Sequence, residues 1–266
     1  TIPCQKTQQH AAAFLCQQPV DMRLPELEKS AAMMVEQNRP DQAVRLCVQA
    51  GCPEKGAQTI LQQVSMLWTR GDFRILEQMI AMLPRKIIDA SPQLIFWDGM
   101  CRLPVLPEIA MERLVQSLDM FYAQGDPDGC FLALSGVLNA LFYQFNGFHN
   151  SDLLLQKAVQ FETRFGKPGH PEIELKLTGA ILQSLIFRDP VSETAQKWIE
   201  RGWHISQQIK DIHHAAPVFL PMILLRILQG NLSGAGHLLK RFDTVIPERI
   251  SPLLYLELQS LKAFHA

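Results

Sequence analysis

The run Trp68-Thr69-Arg70-Gly71-Asp72-Phe73-Arg74-Ile75-Leu76-Glu77-Gln78-Met79-Ile80-Ala81-Met82-Leu83-Pro84 decides the fold. Gly71 is the residue type that enters left-handed backbone geometry without steric cost, so it closes one helix, and Phe73 opens an apolar periodic run on its far side. The same form returns at Asn146-Gly147-Phe148 and at Gln229-Gly230-Asn231-Leu232. Glu36-Gln37-Asn38-Arg39-Pro40-Asp41-Gln42-Ala43 is a turn of this kind in which no glycine stands.

These turns keep a rhythm. Helix breaks centre near Asn38, Gly71, Pro104, Gly147, Asp189 and Gly230, with separations of about 33, 33, 43, 42 and 41 residues. A second series runs between them, near Cys52, Ile88, Asp126, Pro168, His213 and Glu248. Two interleaved series of this period predict a helix-turn-helix unit repeated about six times. Pro25, Pro40, Pro53, Pro92, Pro127, Pro171 and Pro252 each precede an apolar periodic run. Proline suits the first turn, where its missing N–H has no intrahelical partner. Sustained apolar/polar alternation is absent, which removes strands. The expected fold is all-α: a right-handed superhelical solenoid of TPR-like repeats. Later spacings exceed the ~34 residues of an ideal TPR, so longer helices are expected there.

Composition permits such a core. Of 266 residues, 47% are hydrophobic and 19% charged, which excludes disorder. Lys plus Arg (25) and Asp plus Glu (26) nearly cancel, without the basic excess that phosphate binding uses. Direct nucleic-acid binding by this segment is therefore not expected. Six cysteines are scattered without a CxxC pair and read as reduced thiols of a cytoplasmic protein. The apolar run from Ala215 to Leu228 is broken by Pro217, Pro221 and Arg226 and falls short of a membrane span. A start at Thr1 without Met, and an end inside an apparent helix from Pro252 to His265, read as a segment of a larger protein.

Tests for chemistry fail. Gly51-Cys52-Pro53-Glu54-Lys55-Gly56-Ala57-Gln58 has the glycines of a P-loop, but Ala57 and Gln58 stand where Lys and a hydroxyl are required. His213-His214, with Asp211 and His204 nearby, read as a polar inter-repeat turn and not as a metal site. No GxSxG elbow is present. Glu172 and Glu174, and Asp126 and Asp128, fall at helix starts, where they favour the dipole. The segment is expected to be no enzyme and to carry no cofactor and no metal. Trp68, Trp97, Trp198 and Trp203 read as inter-repeat core.

Polar residues on apolar helices are the candidate site. Ser135, Asn139 and Tyr143 stand at i, i+4, i+8 and share a face; Thr178 and Gln183 fall on the corresponding helix of the next unit, and Arg226 interrupts the apolar run Ile223 to Leu228. If such helices line the groove, these six hold a polar ligand or a peptide. Otherwise they hydrogen-bond to neighbouring helices and stabilise packing.

The run Glu36 to Val44, then Ala50-Gly51, then Trp68 to Pro84, resembles the helical region of MalT-type regulators. Ser91-Pro92-Gln93-Leu94 with Trp97 and Gly99, and Phe121-Tyr122-Ala123-Gln124-Gly125-Asp126, fit the same pattern. The resemblance implies a signal-transduction ATPase of the STAND class, with a nucleotide-binding switch before this region and an output module such as a LuxR-type DNA-binding domain. It implies residues 1–85 as a helical linker and first repeats after a winged helix, and 86–266 as the TPR-like domain, continuous with the first. The segment would then be a sensor that receives a small-molecule inducer or a protein partner and controls self-association. A TPR-like scaffold or regulatory segment of an adapter, cyclase or kinase is the alternative.

Overall fold

In a computed structural model, residues 20–144, 150–208, 212–245 and 252–266 are described, with the side chains of 20–24, 212–214, 245 and 252–254 left aside. Among the described residues every regular element is a helix, fourteen in all. Two compact units divide the chain, Thr1–Cys101 and Arg102–Ala266.

The first unit holds α1 (Val20–Glu36), α2 (Pro40–Gln49), α3 (Pro53–Arg70), α4 (Phe73–Ala81), α5 (Arg85–Asp89) and α6 (Pro92–Arg102), whose last residue lies just past the division. α1 packs on α2, α2 on α3 and α3 on α4, and α2 also meets α4 and α3 meets α5. Leu27, Ala43, Leu46 and Cys47 are buried between α1 and α2. Trp68 of α3, half-buried, meets buried Trp97 of α6 at a tilt, with ring centroids 5.1 Å apart, whereas Trp203, also expected in the core, is exposed.

The second unit is four helix pairs in succession: α7 (Pro107–Gln124) with α8 (Pro127–Gln144), α9 (Ser151–Phe165) with α10 (Pro171–Arg188), α11 (Glu193–Ser206) with α12 (Ile212–Leu228), and α13 (Leu232–Val245) with α14 (Pro252–His265). The second members form a row in which α8 packs on α10, α10 on α12 and α12 on α14. That follows from composition. α8, α10 and α12 carry apolar or small residues on nearly every side, and a helix apolar all round has to be enclosed. α11 and α13 are amphipathic and cover the row. One apolar cluster runs from α10 to α14 through Leu182, Ile199, Phe219, Ile223, Phe242 and Leu258. Each such side chain contributes about 1.5–3 kcal/mol of burial.

Turn chemistry explains the rhythm. The N–H of Asp72 donates to the Leu67 carbonyl at 2.9 Å and that of Gly71 to Trp68 at 3.1 Å, the paired bonds that close a helix when the next residue is left-handed. Identical pairs close helices at Asn38-Arg39, Gly51-Cys52, Gly125-Asp126 and Gly230-Asn231. Asn38 has φ 59°, so the turn that lacks glycine uses asparagine, the other residue that tolerates this geometry. In each of the five, the residue after the left-handed one stands directly before the next helix. At Asp126 and Asn231 its side chain also caps that helix, accepting from the N–H of Gly129 at 3.0 Å and of Gly234 at 2.8 Å.

Several expectations are corrected. Pro40, Pro53, Pro92, Pro127, Pro171 and Pro252 do open helices, and Pro107 does too, but Pro25 lies inside α1. The break expected near Ile88 is occupied by the five-residue α5, between Pro84, which as a proline turns Leu83 out of helical geometry, and the 90–91 turn. His213 and His214 stand in the first turn of α12 rather than in a turn between repeats. The breaks expected near Gly147 and Glu248 lie outside the described residues, as does Asp211. The longer helices expected in the later repeats are found only in part: α7, α8 and α10 have 18 residues each, against 10 in α2 and 9 in α4, but α3 in the first unit has 18 as well and α11, α13 and α14 have 14.

Candidate functional site

The six polar residues do not share one surface. Ser135 is buried on α8 and its hydroxyl donates to the Leu132 carbonyl at 2.7 Å, within its own helix. Thr178 is fully buried on α10, and its Oγ1 has no partner among the described residues. These two line no open groove. Asn139 and Gln183 are half-buried, and Tyr143, in the last turn of α8, is exposed.

Arg226 is bound into the scaffold. Its guanidinium donates to Gln196 Oε1 of α11 at 2.7 Å and to Gln229 Oε1 at 3.2 Å, and Gln229 Nε2 in turn donates to the Pro190 carbonyl at 2.8 Å. That last bond has a counterpart one pair of repeats earlier, where Gln144 Nε2 at the end of α8 donates to the Pro107 carbonyl at 3.3 Å. In both, a glutamine at the end of a row helix ties down the start of the covering helix before it.

Other polar contacts also join neighbouring repeats. Arg70 donates to Asn38 Oδ1 at 2.6 Å, linking two of the left-handed turns. Arg188 holds the Asp152 carboxylate through Nε and Nη2, and this pairing lowers the carboxyl pKa. Arg201 of α11 reaches Glu174 of α10 at 2.9 Å and Glu162 of α9 at shorter range, with its guanidinium over the Trp198 ring. Half-buried carboxylates on both sides pair with that cation, while its buried Nη2 has no hydrogen-bond partner among the described residues.

Of the described thiols, Cys47 and Cys130 are buried. Burial raises Cys47 and Cys130 to about 11, so both stay protonated and unreactive near neutrality. Among the described residues no three His, Cys, Asp or Glu side chains gather as a metal site. No described helix is long and apolar enough to cross a membrane.

Sequence reading missed the surroundings of Tyr143. Its ring meets Phe142 edge-on at 5.8 Å, and Phe142 meets Phe187 of α10 at 5.6 Å, with Phe187 itself exposed. Burial and, after it, the charge of Glu257 of α14 raise the Tyr143 phenol pKa. Burial raises the Glu257 carboxyl as well. A signal was present in the composition of α14, Pro252-Leu-Leu-Tyr-Leu-Glu-Leu-Gln-Ser-Leu-Lys-Ala-Phe-His265, where Glu257 is the single acid of an apolar helix. No family model matches this chain, and neither a curated protein nor a solved structure does.

Proposed function

We propose that the chain is the sensor segment of a larger MalT-type bacterial transcriptional regulator, receiving a small-molecule inducer or a protein partner on a right-handed TPR-like superhelix. It performs no chemistry of its own and works in the cytoplasm, with ligand occupancy biasing self-association of the parent protein. The observation that supports this most is the set of five matching turn closures, at 38, 51, 71, 125 and 230. Four of them, at 38, 51, 71 and 125, fall in the segments that resemble such regulators. A row of enclosed helices with its polar links between repeats supplies a rigid frame, and repeat frames of this kind bind through extended concave faces.

Within that frame Asn139 and Tyr143 offer the accessible contacts, while Ser135, Thr178 and Arg226 serve packing, with Gln183 between the two groups. The parent gene tests the reading. A P-loop switch encoded upstream and a LuxR-type helix-turn-helix downstream would support it. An adapter, cyclase or kinase context would overturn it in favour of a scaffold.

A further inference from the structure

Cys47 and Cys52 are the outer residues of one of the five turn closures. The N–H of Cys52 donates to the Cys47 carbonyl at 2.9 Å and that of Gly51 to Val48 at 3.1 Å, with Gly51 left-handed at φ 78°. In such a closure the side chains of the two outer residues meet, usually as an apolar contact. Elsewhere these positions carry pairs such as Leu67 with Asp72 and Phe121 with Asp126, and of the five closures this one alone carries two thiols.

Packing agrees with the motif. Cys47 is sealed in the cluster between α1 and α2, and half-buried Cys52, directly before α3, packs against that same cluster. The hydrogen bond also bounds the backbone. A carbonyl oxygen stands about 2.4 Å from its own Cα and an amide nitrogen about 1.5 Å from its Cα, so a bond of 2.9 Å holds the two Cα atoms within about 6.8 Å. Disulfides span Cα separations of about 4.4–6.8 Å, so a bridge here asks for rotation of the thiols and not for displacement of α2 from α3. The Cys52 thiol donates to the Ala50 carbonyl at 3.8 Å, a weak contact that such a rotation gives up at little cost.

We propose that Cys47 and Cys52 form a redox modification site, converted by hydrogen peroxide into a reversible disulfide across the turn between α2 and α3. Burial keeps Cys47 protonated and out of the oxidant's reach, so half-buried Cys52 reacts first. Peroxide gives one hydroxyl to the Cys52 sulfur, whose proton leaves with the other hydroxyl as water. The Cys47 sulfur then attacks the Cys52 sulfur, the S–O bond breaks, and the departing hydroxide takes the Cys47 proton and leaves as a second water. The two thiols are oxidised by two electrons and one peroxide is reduced. Cytoplasmic disulfides are of this transient, redox-sensing kind. The inference is independent of what the segment senses or binds.

Trypsin isolates the site, because cleavage after Arg45 and Lys55 releases both cysteines in one peptide, residues 46–55. The folded chain is treated with hydrogen peroxide, unfolded in iodoacetamide to alkylate the remaining thiols, digested and analysed by mass spectrometry. The expected peptide is unalkylated and lighter than the reduced form by the two thiol hydrogens, and dithiothreitol restores both alkylation sites. In Cys52→Ser, Cys47 should stay reduced; in Cys47→Ala, Cys52 should be trapped as its sulfenic acid by dimedone. If Cys47→Ala fails to fold by circular dichroism, Cys52→Ser, a change at a half-buried turn position, carries the test. Alkylation of both cysteines after peroxide, Cys52 joined to a different cysteine or carried on to the sulfinic acid, or oxidation of Cys47 in Cys52→Ser would overturn the proposal.

Discussion

Gly179 of α10 rests against the backbone of α12 at Pro217: a Cβ at residue 179 would stand 2.5 Å from the Pro217 carbonyl oxygen. That oxygen lacks its usual helical donor, because the residue four positions on is Pro221, which has no N–H. Two prolines in one helix thus leave a bare carbonyl where the neighbouring helix brings only a glycine, and the Gly179 Cα–H points towards it as a weak donor. Close approach of α10 and α12 depends on this pair.

Gly179→Ala should therefore cost about 1–3 kcal/mol or more, since backbone and not a flexible side chain blocks the added methyl. Urea unfolding measures it. A cost below half a kcal/mol would mean that the two helices do not approach this closely.

The left-handed turns make a graded prediction. Gly71→Ala and Gly125→Ala should each destabilise by about 1–2 kcal/mol, and Gly71→Asn by less, because Asn38 already occupies the equivalent geometry. Thermal unfolding of the three variants checks the order. Equal losses for Ala and Asn would contradict the equivalence of the turns.

Arg201 joins three helices through two carboxylates, all half-buried. Arg201→Met should cost roughly 3 kcal/mol, as each acid is left without its cation. The triple variant Arg201→Met, Glu162→Leu, Glu174→Leu should recover much of that loss in the same denaturation assay. A triple variant weaker than the single one would show that the cation is not the acids' main partner.

Glu257 links stability to pH. Burial raises its folded pKa above the unfolded value, so its charged form opposes folding. Stability relative to a neutral side chain is fully present below the unfolded pKa and is lost as pH rises through the folded one. Glu257→Gln should raise the melting temperature at pH 7, and the gain should shrink as pH falls through the carboxylate range. A gain that persists unchanged in acid would contradict this.

Much of the fold was legible because its signals are local. Gly71, Gly125 and Gly230 mark helix ends by backbone geometry alone, and six of the seven prolines singled out open helices. Pro25 and α5 were not legible: a proline inside a helix leaves no different mark from one at its start, and a five-residue helix is shorter than one apolar period. The candidate site was legible only in part. Spacing placed Ser135, Asn139 and Tyr143 on one helix face, but whether that face meets solvent depends on what packs there, and Ser135 is sealed while Tyr143 is open. Phe187 of α10 meets Phe142 beside Tyr143 only through packing of the row, which no local pattern encodes.

The most direct measurement of the sensor claim is a thermal-shift screen of the chain against small metabolites, amines and nucleotides, repeated on Asn139→Ala with Tyr143→Ala. Selective binding to the folded state stabilises it by about 2.7 kcal/mol at a hundredfold excess over Kd. The expected result is a saturable rise in melting temperature for one class of compound, lost in the double variant. A screen without any saturable rise, or a rise unaffected by the double variant, would contradict a ligand-sensing role for the face of α8 that carries Asn139 and Tyr143.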